Sequence, residues 1–252
     1  AGYEIDTTLN QDGQPIIISG DLYGQHALVF MDSMKAAAQD IGVDIYIGFQ
    51  AWESETSWDS VQTDWNEKMM PVVGENPDFY IVHNYYTPFD ENSNAATILN
   101  SYKRAKHFKS AIYKDLSEFG LSEKPLALTE YNIFAVNSCQ PVSHINGLHA
   151  ALVTGNVIKN QYGLTTRWDL ANGWADGNDH GMFARNEPGV EDFTPHPDFY
   201  HLFYFQEYFG DVMVESDQEK NGIVVYASSF ESGQAGLVII NKGSSAKIVE
   251  LL

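Results

Sequence analysis

With 252 residues the chain is long enough for one large domain, or for one domain and part of a second. Its 34 acidic against 14 basic residues leave a formal charge of −20, which argues against nucleic acid and anionic membranes as partners, because both need clustered Lys and Arg. A single cysteine, Cys139, excludes an intramolecular disulfide and a multi-cysteine metal site, and no apolar run is long enough to span a bilayer.

Residues 1–25 are polar and turn-rich around the stretch NQDGQP, with a short apolar run at Ile16–Ile18, and read as a loop or hairpin excursion. Residues 26–40 place Leu28, Phe30, Met31, Met34 and Ala38 at helical spacing, with Gly42 as the stop. A β-branched and aromatic strand is expected over 43–49, a helix over 58–73 up to Pro71, and a strand over 77–86. A long helix over 94–120 ends at Gly120, a strand follows over 124–132, then a helix over 143–163, a strand over 164–171 and a last helix over 197–211. Beyond residue 211 the pattern changes to strands separated by short turns, GIVVYASSF and GQAGLVIINKG, which read as an antiparallel hairpin.

Four strand–helix units in succession call for parallel strands with helical crossovers. No glycine-rich phosphate loop follows any strand, so a nucleotide-binding sheet is disfavoured and no cofactor is implied. A (β/α)₈ barrel fits better, and in that fold reactive groups sit at the C-terminal ends of strands. This accounts for a carboxylate at the end of an otherwise apolar strand: in KPLALTEYN, Glu130 is flanked by Thr129, Tyr131 and Asn132, whose hydroxyl and amide groups can hold it ionised and oriented. A solvated or salt-bridged glutamate is the plain alternative.

His83, Asn84 and Tyr85 end the preceding strand. His83 and Tyr85 are two apart and share one face, so the Tyr85 hydroxyl is placed to donate to Glu130 and His83 to shape the adjoining subsite. A core histidine bonded to a backbone carbonyl remains open for His83. Trp168, Trp174 and Trp52 lie on or just after strands and can supply an aromatic floor for a sugar ring; packing against the last helix is the alternative for Trp168 and Trp174. Two further sequences are set aside. Glu187 in RNEP lies downstream of Glu130 in a long loop, and Glu67 in WNE lies inside a helix. In HPDFYH the two histidines are five apart, which does not match helical metal ligands, and Phe199 and Tyr200 read as ordinary helix packing.

The ordered series DFYIVHNYY, PLALTEYN, TTRWDLANGW and HPDFYHLFYFQEYFGD resembles clan A retaining glycoside hydrolases, in particular the family 51 α-L-arabinofuranosidases and family 39 β-xylosidases. The resemblance implies that residues 1–211 are part of a (β/α)₈ catalytic barrel, carrying strands five to eight. It implies that 212–252 begin an antiparallel β-sandwich domain. It places the nucleophile at Glu130 and matches His83 and Tyr85 to the strand-six pattern. The family's acid/base, a Glu after an Asn at the end of strand four, has no counterpart upstream of residue 20, which leads to the expectation of a fragment that hydrolyses nothing by itself. The expected substrate is a plant or algal polysaccharide or oligosaccharide, handled outside the cytoplasm. A non-catalytic carbohydrate-binding barrel, an endo-acting β-glycanase of the same clan, and an unrelated scaffold with a structural Glu130 are the competing readings.

Overall fold

The computed structural model describes residues 5–6, 16–53, 60–174, 179–216 and 219–250. Contacts divide the chain into two compact units: Ala1–His83, His107–Thr129 and Tyr162–Leu164 form the first, and Asn84–Lys106, Glu130–Gln161 and Thr165–Leu252 the second.

In chain order, β1 (Ile5–Asp6) pairs antiparallel with β2 (Ile16–Ile17), as a hairpin excursion requires; the NQDGQP stretch between them lies outside the described residues. Helix α1 (Gly20–Asp40) begins six residues earlier than the apolar spacing indicated. Its first turns lie against α3, so closely that a Cβ on Gly20 would stand 2.2 Å from the Trp65 carbonyl oxygen. The helix ends as expected. Gly42 adopts φ +72°, and Val43 N–H reaches back to the Ala38 carbonyl, so the last orphan carbonyls are satisfied.

Strand β3 (Gly48–Gln50) is shorter than the expected 43–49. Val43 and Tyr46 are exposed, and Ile47 N–H is taken by the Asp78 carboxylate, so the ladder starts only at Gly48. Helices α2 (Ser60–Thr63) and α3 (Trp65–Val73) follow, the latter continuing two residues past Pro71. Strand β4 (Phe79–Tyr85) comes next.

The single helix expected over 94–120 is two, α4 (Ala95–Ser101) and α5 (Arg104–Glu118). The break has a local cause: Asn100 Nδ2 and Ser101 Oγ donate to the Ala96 and Ile98 carbonyls, both at 2.8 Å, in competition with the backbone ladder. Strand β5 (Leu126–Asn132) leads through a short 3₁₀ turn, Gln140–Val142, into α6 (His144–Lys159), which Ser143 caps by accepting from Asn146 N–H. Strand β6 is only Leu164–Thr165 and is followed by a long loop to α7 (Pro197–Tyr208).

Strands β3 to β6 form one sheet in the order β3-β4-β5-β6. The β3–β4 pair is parallel. Bonds from Tyr80 N to Pro125 O and from Tyr86 N to Asn132 O rise together along β4 and β5, the parallel sense. Bonds from Gly163 N to Leu126 O and from Trp168 N to Tyr131 O do the same for β5 and the β6 segment. This sheet with its crossover helices is half of a (β/α)₈ barrel. The chain then changes to an antiparallel sheet: β7 (Val212–Val214), β8 (Glu219–Lys220), β9 (Ile223–Ser229) and β10 (Ala235–Asn241), with β9 pairing all three others.

The core of the first unit includes Phe49, Met69, Met70, Tyr80, Ile112, Leu126 and Leu128. In the second unit α6 is the central element: Ala150, Leu152, Val153 and Val157 are buried, Tyr226 on β9 donates to the Leu152 carbonyl, and a Cβ on Gly155 would collide with the Tyr226 ring at 2.3 Å. Helix α7 departs from the expected ordinary packing. Phe199 meets Phe183, but Tyr200, Phe203, Tyr204 and Tyr208 are exposed. No helix among the described residues is long and apolar enough to cross a membrane.

His149 on α6 is fully enclosed, with its ring edge-on to Tyr86 and Nε2 at 3.0 Å from Ser101 Oγ. Burial, and then the charge of Arg167, hold its pKa down at about 3, against an ordinary value of 6.5. The unfolded chain therefore takes up a proton near pH 6.5 while the folded chain does not. Stability from this group is complete above that pH and is lost as pH falls toward 3, by at most about 1.4 kcal/mol per pH unit. Urea unfolding at pH 7 and pH 5 should show a stability drop that is smaller by about 2 kcal/mol in His149→Gln. An identical drop in both proteins would show that His149 does not set the acid limb.

Candidate active site

The second unit brings together the carboxylate and the tyrosine singled out by the sequence. Tyr85, the last residue of β4, donates its hydroxyl to Glu130 Oε1 at 2.8 Å. Burial first, then this bond and the Glu130 charge, hold the Tyr85 phenol well above its ordinary range, so it remains a donor throughout the neutral and mildly alkaline range. Its ring is fixed between Phe134, stacked at 4.6 Å, and the His180 imidazole at 5.7 Å. Both groups stand at the C-terminal ends of parallel strands, where the sheet's own side-chain alternation gives way to loops.

Asn132 secures the next turn of the chain. It donates from Nδ2 to the Trp168 carbonyl, while its Oδ1 accepts from Ile133 N–H and from the Asn146 amide on α6. Trp168 N–H in turn donates to the Tyr131 carbonyl at 3.1 Å. The Trp168 side chain is 44% exposed, so it is not buried against the last helix. The peptide bond from Trp168 to Asp169 is cis. Trp174 is half-buried and donates its backbone N–H to the Arg185 carbonyl.

His83 is exposed, with Nε2 at 2.5 Å from Thr129 Oγ1, which rules out the core-histidine reading. Asn84 is half-buried beside Tyr85 in the chain. Trp52 belongs to the first unit, its backbone clasped at both ends by the Asn66 amide. It lines a cavity of about 460 Å³ together with Tyr23, Gln50, Glu53, Trp65 and His83. Glu67 of WNE lines a different cavity of that unit. Glu187 of RNEP is bonded through Oε2 to His196 Nε2 at 3.0 Å, and His196 Nδ1 meets the Gly181 carbonyl at 2.8 Å.

Four residues given no role by the sequence reading complete the surroundings of Glu130 and Tyr85. Arg167 forms a buried ion pair with Asp198 at 2.7 Å, with side chains 2% and 0% exposed, and also donates to the His180 carbonyl at 2.7 Å. Asp169 donates its N–H to that same His180 carbonyl, and its own carbonyl accepts from Met182 N–H. Burial, then the nearby Asp179 charge, push the Asp169 carboxyl up against the opposing pull of Arg167, and Glu130 adds to the rise. Burial, followed by Arg167, lowers His180, whose imidazole is neutral near pH 7. A polar residue after Trp168 was visible in RWD, but contacts 13 or 31 residues apart leave no mark on a single sequence. No group of His, Cys, Asp and Glu among the described residues is arranged to hold a metal ion.

The sequence matches no protein-family profile and no curated protein. The fold does match solved structures, and all of the following are glycoside hydrolases. The α-L-arabinofuranosidase of Thermotoga maritima, solved with arabinose, superposes with a TM-score of 0.63 at 15% identity, over 94% of this chain and 50% of that one. The family 51 α-L-arabinofuranosidase of Bifidobacterium longum gives 0.60 at 13% identity, over 91% and 50%. The family 44 xyloglucanase of Paenibacillus polymyxa gives 0.55 at 15% identity, over 90% and 49%. At these identities the likeness is one of fold, and the chain spans about half the length of the structures it matches.

Proposed function

We propose that this chain carries the nucleophile side of a retaining glycoside hydrolase site acting on plant or algal polysaccharide or oligosaccharide, with α-L-arabinofuranosides as the first substrates to test. The observation that carries the reading is the Tyr85 hydroxyl donating to Glu130 at 2.8 Å at the ends of neighbouring parallel strands. A neutral donor steadies a carboxylate without adding a charge that would blunt its attack. The barrel-type sheet and the glycoside hydrolases that share it support the same reading.

In this mechanism one Glu130 oxygen attacks the anomeric carbon as the glycosidic C–O bond breaks, and the leaving oxygen takes a proton from a second carboxyl about 5 Å away. The glycosyl ester is then opened by water, which gives its proton to that second carboxylate and frees Glu130. Tyr85 orients the attacking oxygen, and the Trp168 ring packs on the C–H face of the sugar. Glu187, held by His196, is not assigned the acid role. Residues 1–211 are assigned to the barrel and 212–252 to an accessory β-domain, and a polymeric substrate places the reaction outside the cytoplasm.

A 2-deoxy-2-fluoro glycoside with a dinitrophenolate leaving group tests the assignment, because that leaving group departs without acid help. Intact-mass and peptide mapping should find the fluorosugar esterified to Glu130, and Glu130→Gln should take up none. Label on another carboxylate, or undiminished labelling of the variant, would sink the nucleophile assignment.

A further inference from the structure

The contacts around Glu130 close into a ring. Glu130 accepts from Tyr85, the Tyr85 ring meets His180, the His180 carbonyl accepts from Asp169 N–H, and Trp168, which precedes Asp169, is bonded to Tyr131 and Asn132, the two residues after Glu130. In this ring or next to it in the chain, three enclosed polar atoms have no hydrogen-bond partner among the described residues: Asp169 Oδ1, His180 Nε2 and Asp179 Oδ2. Asp179 is fully buried, and its other oxygen already accepts from Gly181 N–H at 2.7 Å. Buried polar atoms are almost always hydrogen-bonded, so these orphans mark a place where water, or a ligand that displaces it, supplies the bonds.

The chemistry of the orphans selects the ligand. Two are carboxylate oxygens, which accept hydrogen bonds, and one is a nitrogen of an imidazole that donates or accepts according to tautomer. The terminal nitrogens of Arg167 are engaged elsewhere, with the Asp198 carboxylate and the carbonyls of His180, Asp169 and Pro141, and its Nε is a further enclosed polar atom with no hydrogen-bond partner among the described residues. The described residues hold no metal-binding group. A ligand that brings several neutral O–H groups on a rigid frame, such as a sugar ring, can meet these atoms in place of water.

Resting on the glycosidase reading of Glu130, we infer that Asp169, supported by His180, is the specificity-determining residue of this site. It accepts a hydrogen bond from a ring hydroxyl of the sugar whose anomeric carbon faces Glu130. Its backbone is held on both sides, N–H to His180 and carbonyl from Met182, so the carboxylate is positioned before the sugar arrives. The site therefore selects sugars with a free hydroxyl toward Asp169 and rejects those in which that position is deoxygenated or substituted. Rejection is strong in such a site, because the wrong sugar leaves the buried acceptor unpaired.

The test uses L-arabinose, D-xylose, D-galactose and their monodeoxy analogues, with binding read by NMR titration on the unmutated chain and on Asp169→Asn. Labelling of Glu130 is measured alongside. One hydroxyl should matter: its deoxy analogue should bind the unmutated chain at least ten-fold more weakly than the parent sugar. Asp169→Asn should weaken the parent by a similar factor and leave that deoxy analogue unchanged. The arm on the unmutated chain holds even if the variant folds poorly. Equal weakening of parent and all analogues by Asp169→Asn, no discrimination among analogues by the unmutated chain, or no sugar binding at all would overturn the inference. Labelled Glu130 without this coupling sinks the role of Asp169 and spares the nucleophile. The coupling without labelled Glu130 does the reverse.

Discussion

In a protein that carries this chain and turns over an aryl glycoside, Glu130→Gln should cut kcat by at least about 10⁴-fold while changing KM little. The amide keeps the shape of the carboxylate and can still accept from Tyr85, so binding and folding are spared. What it loses is the negative oxygen that forms the glycosyl ester, and a neutral amide is no substitute nucleophile. Tyr85→Phe is the informative companion. It leaves the carboxylate in place and removes one oriented donor, so a loss of about 10 to 10²-fold is expected, the usual worth of a hydrogen bond to a charged group. Added azide should restore turnover of an activated aryl glycoside in a Glu130→Ala variant by occupying the vacated space, and should do nothing for Tyr85→Phe. If Glu130→Gln retains more than a tenth of the activity, Glu130 is a structural or orienting carboxylate.

Breaking the Arg167–Asp198 pair should be the most damaging change to folding. Both side chains are almost completely enclosed and 2.7 Å apart. Arg167→Met leaves the Asp198 carboxylate in a low-dielectric setting without its countercharge, and losses of about 3–5 kcal/mol are typical when one partner of a buried pair is removed. The change also takes a donor from the His180 carbonyl, so the loop wall behind Tyr85 loosens with it. Asp198→Asn strands the guanidinium in its turn, but the amide oxygen still accepts a hydrogen bond from it, so part of the interaction is kept and the loss should be smaller. Urea unfolding followed by far-UV and near-UV circular dichroism distinguishes the outcomes. A loss under about 1 kcal/mol in Arg167→Met would mean that water reaches Asp198 and that the pair is not the clamp described here.

Much of this molecule is local in origin, and that part was legible. The apolar run Leu126–Leu128 with a carboxylate at its end identified β5 and the position of Glu130. The two-residue spacing to Tyr85, together with the expectation that parallel strands end side by side, anticipated the hydrogen bond between them. Gly42 and Gly120 were readable as helix stops because φ values of +72° and +66° are open to glycine at little cost. The change of period after residue 211 marked the antiparallel strands, since alternation and helical spacing cannot be satisfied by the same residues.

Other features were decided only by tertiary contacts. The length of β3 depends on Asp78 capturing Ile47 N–H from 31 residues away, and that of α1 on a glycine packed against the Trp65 carbonyl. Trp52 and His83 line one cavity of the first unit together with Gln50 and Glu53, a grouping that residues so far apart in the chain reach only on folding. Spacing along a strand reports a face, whereas the choice of neighbour is made by the fold. The same holds for Arg167, Asp169, His180 and Asp198. Each is an ordinary polar residue in the sequence, and each gains its meaning from burial and from a partner far along the chain. The one-dimensional pattern of side chains thus determined the parallel strands, the crossover helices and the carboxylate at a strand end. The surroundings of that carboxylate were decided by folding, because desolvation and hydrogen-bond geometry exist only once distant segments have met.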